Sequence, residues 1–156
     1  AFGQKVSIEP IADIYSSGML STIIPDAESI QKYYNDFKKI SIDYQDKDIG
    51  NEFIFISQGI KNDDQKALDV AKGVAESYRG FGKDLMGITV PTSLAQIHLA
   101  IANNYEKTAV SIEKMTLSLT DQMAGMSGVL SYKKYSDDLV ANIENLEAFF
   151  KKNGIL

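Results

Sequence analysis

Between residues 92 and 119 the apolar positions recur with the step of a helix. Leu94, His98, Ile101, Tyr105, Thr108, Ile112, Met115 and Leu119 are separated alternately by four and three residues. At 3.6 residues per turn all eight fall on one stripe. Glu106, Lys107, Glu113 and Lys114 lie off it and are expected to face water. Pro91 precedes Thr92, and Ser93 with Gln96 has capping-box spacing. The pattern predicts one helix over 92–119, roughly 42 Å long. A second stripe runs through Gly125, Val129, Tyr132, Ser136, Leu139, Ile143, Leu146 and Phe150. Thr120 or Asp121 suits its start, Lys151 and Lys152 its last turn, and Asn153-Gly154 its stop. So short a turn near residue 120 predicts an antiparallel helical hairpin.

Two earlier segments carry the same spacing. Ala67, Ala71, Val74, Tyr78, Phe81, Leu85 and Ile88 predict a helix over 63–88, with Asn62 or Asp63 as its cap. Ile30, Tyr33, Phe37, Ile40 and Tyr44 predict another from Asp26 to about Asp46, with Asp26 and Glu28 favouring its start. Residues 51–60 have strand-like composition at Phe53 to Ile56, yet Phe53, Ile56 and Ile60 also fit a helical stripe. The surrounding helices favour a short helix there. Residues 1–24 carry Pro10 and Gly18, and one short helix near Pro10 to Leu20 is the most regular structure expected. Val6, Ile8, Ile11, Ile14 and Tyr15 are too many apolar groups for a free tail. Together these patterns predict an all-α fold and a single domain over 1–156. An irregular strap (1–24) packs over an antiparallel four-helix bundle (26–156) that carries a short extra helix.

Composition removes more functions than it suggests. The chain has no Cys and one His, which excludes a thiol nucleophile, a Cys-ligated metal and a multi-histidine site within one chain. A net charge of -5 argues against nucleic acid as the main partner. No stretch approaches the length of a membrane span. The chain starts at Ala1 without a charged, apolar leader. Any signal peptide or anchor is expected to have been removed already. No cofactor is expected.

The chemistry-bearing residues read mainly as structure. His98 lies on an apolar stripe with no nucleophile motif to pair with, so a half-buried or buried structural histidine is expected. Asn104 and Thr108 belong to the same polar seam, where polar groups are satisfied across helices and can fix register. Asp43, Asp46, Asp48 and Glu52 are acidic enough to suggest calcium. The twelve-residue calcium loop fails there, since its fifth, sixth and twelfth positions would be Gly50, Asn51 and Ser57. A solvated helix end fits that segment better. Asp63-Asp64 suits a helix start. Asp137-Asp138 follows Lys133-Lys134 by one turn, as on an exposed helix face. Tyr34 and Tyr135 point away from the stripes and are expected to be exposed.

Gly73, Gly80 and Gly87 are seven apart on the third of these helices. Glycine inside a helix costs about 1 kcal/mol relative to Ala, and phosphate-loop spacing is absent. Either neighbouring helices approach closely along this stripe, or a concave small-residue face admits a partner helix or a ligand.

Taken together, "IQKYYNDFKKI", "GNEFIFI", "YRGFGKDLMGITVPTSLAQIHLAIANNYEKTAVSIEKM" and "DQMAGMSGVLSYKKYSDDLVANIENLEAFFKKNGI" resemble a group of uncharacterised, exported helical proteins of ultra-small bacteria of the candidate phyla radiation. Val90-Pro91, His98, Asn103 or Asn104, Asp121 and Phe149-Phe150 carry the resemblance. A Pro expected after the Asp121 turn is missing. The resemblance implies an all-helical protein facing the outside of the cell and brings no activity. The expected function is therefore an exported or cell-surface helical module that binds a protein partner or assembles with itself. A bundle binding a small ligand or lipid is the alternative. An enzyme using His98 would need that residue in an open cleft beside an acid.

Overall fold

A computed structural model describes residues 8–156. Val6, counted above with the strap, lies outside the described residues. The fold is mostly helical. Five α-helices follow one another: α1 (Ala27–Asp43), α2 (Glu52–Lys61), α3 (Gln65–Leu85), α4 (Ala95–Met115) and α5 (Gln122–Lys152). The ambiguous run at 51–60 is thus helical. Each cap has a local cause. Asp26 and Ser29 form a reciprocal capping box at α1. Asp64, rather than Asn62 or Asp63, caps α3 by accepting from the Lys66 N–H. Asp121 caps α5 through the Ala124 N–H.

Two short strands depart from the all-helical expectation. β1 (Ser21–Ile23) and β2 (Thr89–Pro91) pair in parallel, with Thr22 opposite Val90. Val90 is fully buried. The short stretch between the two predicted helices therefore ties the N-terminal segment to the body of the fold. Pro91 sits at the strand's end, where its missing N–H matters least. The pairing also delays α4. Residues Thr92–Leu94 form a 3-10 turn, the helix begins at Ala95, and the Ser93–Gln96 capping box is not made. At the other end α3 stops at Leu85, leaving Ile88 outside the helix. The helix expected near Pro10–Leu20 reduces to a 3-10 turn at Ser17–Met19.

α4 is the central element. It packs against α3 on one side and α5 on the other. Gly128 of α5 lies against Ser111, Lys114 and Met115, while Lys107 sits over the Tyr135 ring. The two helices therefore run in opposite directions. The strap covers a further side of α4. The Asn103 carboxamide accepts from the Ile14 and Tyr15 N–H groups at 3.1 and 2.9 Å and donates to the Tyr15 carbonyl. Lys107 pairs with Asp13 at 2.5 Å, and the Tyr135 hydroxyl accepts from the Ile11 N–H. Tyr135 is consequently buried rather than exposed.

Being wrapped on three sides, α4 buries residues expected in water. Glu106 is buried and receives the Arg79 guanidinium, which also reaches Glu76 and Glu113. On α5 the buried face passes through Gly125, Gly128, Ser131, Tyr135, Leu139, Leu146 and Phe150. Val129, placed on the apolar stripe by spacing, is exposed. Close backbone approach selects the small residues of the neighbouring stripe instead.

Candidate functional site

His98 is fully buried. Its Nε2 lies 2.8 Å from the Leu85 carbonyl and its Nδ1 2.7 Å from the Tyr33 hydroxyl. A carbonyl only accepts, so Nε2 carries the proton and Nδ1 accepts from Tyr33. The imidazole thus caps the C-terminal end of α3 and ties α1 to α4. Burial pushes its pKa down to about 4, against the opposing effect of the Leu85 carbonyl. A neutral ring with both nitrogens engaged has no free position for proton transfer to a substrate. The other members of the expected polar seam differ. Thr108 is buried, and its hydroxyl has no partner among the described residues. The side-chain bonding falls to Asn103, which ties down the strap, rather than to Asn104.

The three glycines are not gathered on one surface. Gly73 is exposed, with open space where a Cβ would stand. Gly80 lies beneath the Tyr44 hydroxyl, and Gly87 sits in the turn beyond α3. Close helix approach occurs elsewhere. A Cβ on Gly82 would meet the Ala102 carbonyl at 2.9 Å, and one on Gly128 the Met115 N at 2.6 Å.

Glu52 departs most from its sequence reading. It was grouped with a solvated acidic segment, yet it is fully buried at the first turn of α2. One carboxylate oxygen accepts from the Tyr78 and Tyr132 hydroxyls, the latter at 2.8 Å; the other accepts from the Gly50 N–H at 2.9 Å. Burial and then the Glu52 charge push both tyrosines up from their ordinary range. Gly50 reaches Glu52 from a loop in which Asp48 and Gly50 adopt positive φ. The cluster latches α2 to α3 and α5. Helical spacing places Tyr78 and Tyr132 on buried stripes but does not show that they converge on Glu52. Among the described residues no group of three His, Asp or Glu side chains is placed to hold a metal ion.

Two of the open surfaces are mainly apolar. Phe53 and Ile60 of α2, with Met123, Met126, Val129 and Leu130 of α5, are each between 37% and 47% exposed. The Phe53 ring meets Tyr132 edge-on at 4.7 Å, joining the two helices' flanks. Neither 53–60 nor 122–132 contains a charged residue. The second surface is a cleft of about 420 Å³ between α1 and the C-terminal half of α5. Phe81, Tyr105, Leu146 and Phe150 are buried in its floor, and Tyr34 and Phe37 form its half-buried walls. Lys38 on α1 and Glu147 on α5 stand exposed at opposite lips. Tyr34, expected to point into solvent, instead packs edge-on against Phe150 at 5.1 Å. Among the described residues no helix is long and apolar enough to cross a membrane. No protein-family model, curated protein or solved structure matches this chain.

Proposed function

We propose that this chain is a non-catalytic, exported or cell-surface binding module, built as an antiparallel four-helix bundle of α1, α3, α4 and α5 with α2 as the extra helix. It binds a protein partner, the simplest being a second copy of itself. The observation that carries this is the uncharged apolar face of α2 and the first turns of α5. Contiguous apolar surface rimmed by polar residues is characteristic of interaction sites. Two flexible methionines suit a contact that adapts to its partner. The buried and fully bonded state of His98 weighs against an enzyme built on it.

Sedimentation velocity over a concentration series tests the proposal. Assembly should grow with concentration and be lost in Met126→Lys and Leu130→Lys, with helicity retained. A monomer at every concentration, whose retention on a hydrophobic column is unchanged by both substitutions, would sink it. A small-ligand-binding bundle is the second reading, favoured by the cleft between α1 and α5.

A further inference from the structure

Four large apolar side chains in the cleft floor would ordinarily close against α1. A cleft remains there instead, beside contacts in which α1 meets its neighbours through aromatic rings. Phe37 stands edge-on to Phe81 with centroids 6.2 Å apart, and Tyr33 lies 6.0 Å from Phe150. Phe37, Phe81, Tyr105 and Phe150 line the gap. Its volume falls within the range of small-molecule pockets.

Two polar groups at this gap are available to a ligand, having no hydrogen-bond or ion-pair partner among the described residues. Tyr105 is 6% exposed and stacks on Phe81 at 4.2 Å. Its hydroxyl forms no hydrogen bond with another described residue, whereas the buried hydroxyls of Tyr33 and Tyr78 both do. The hydroxyl is not among the water-excluded, partnerless oxygens, so its donor stays open toward the cleft that Tyr105 lines. Lys38 pairs with no carboxylate among the described residues and sits 6.0 Å over the Tyr34 ring. Glu147 on the opposite lip disfavours a ligand with negative charge at both ends.

We propose that this cleft binds a small, flat aromatic monoanion. Its rings lie against Phe37, Phe81 and Phe150, an acceptor oxygen takes the Tyr105 hydroxyl, and its anionic group faces Lys38. The inference rests on the second reading above and is independent of the apolar face of α2 and α5.

The test uses anilinonaphthalene sulfonate as the aromatic anion and N-phenyl-1-naphthylamine as its neutral counterpart, followed by fluorescence titration of the whole chain. One saturable site is expected for the anion, with weaker binding of the neutral probe. Ser41→Trp, on the exposed lip of α1, should obstruct the cleft and lower affinity for both by about tenfold or more. Tyr105→Phe should weaken the anion by about two- to tenfold, the span of a single neutral hydrogen bond. Lys38→Met should weaken the anion by about two- to fivefold and leave the neutral probe unchanged. Met126→Lys should leave both titrations as they are. If both probes bind equally and Lys38→Met changes neither, the anionic class is wrong although the cleft still binds ligands. If Ser41→Trp changes neither titration, the cleft reading itself fails.

Discussion

At the scale of single residues, two buried polar side chains, His98 and Glu52, join elements of the fold. His98 is the clearest case, since one imidazole closes α3 and holds α1. Its protonation therefore opposes folding. The folded pKa lies near 4 and the ordinary value at 6.5, so between them the unfolded chain takes up a proton that the folded chain refuses. The contribution is fully present above pH 6.5 and is lost as pH falls toward 4, by up to about 3 kcal/mol. Urea unfolding at stepped pH should show this slope, and His98→Gln should flatten it. Glu52 is the second case. Glu52→Gln keeps the shape but sets an amide donor against donors, and should cost about 1–3 kcal/mol, read by the same unfolding assay. His98 was legible as packing because it stood on an apolar stripe. Glu52 was not, because acidic neighbours in sequence resemble a solvated turn until three donors are folded onto one of them.

At the scale of elements, helix spacing located the four long helices but left α2 open between helix and strand, and it did not place every boundary or face. The boundaries shifted where another element intervened. β1 claims residues 89–91, so α4 starts late and α3 ends early. Faces shifted where backbones approach closely. Spacing assigns Val129 to the core of α5, but the α4 contact needs Gly128, whose absent side chain admits the Met115 backbone. Two glycine substitutions should consequently have opposite signs. Gly128→Ala drives a Cβ into the α4 backbone and should destabilise by about 1–3 kcal/mol. Gly73→Ala meets nothing within 4 Å and should stabilise by up to about 1 kcal/mol through helix propensity. Paired thermal melts of the two variants would check both.

At the scale of the whole molecule, the N-terminal strap converts α4 from a half-exposed helix into the centre of the fold. Asn103 is its main fastening, with three hydrogen bonds to the backbone of Ile14 and Tyr15. Asn103→Ala should release the strap without unfolding the helices. Hydrogen exchange should then speed up at the Ile14 and Tyr15 amides while α3 and α5 stay protected. The sequence by itself determined the mostly helical class, the four long helical segments, the α4–α5 turn and the packing role of the lone histidine. These follow from local periodicity and capping, which act over a few residues. Only the tertiary structure decided the strand pair, the burial of Glu52, the strap's grip on α4 and the open cleft beside α1. Each of these joins residues tens of positions apart, and no local spacing encodes which distant groups meet.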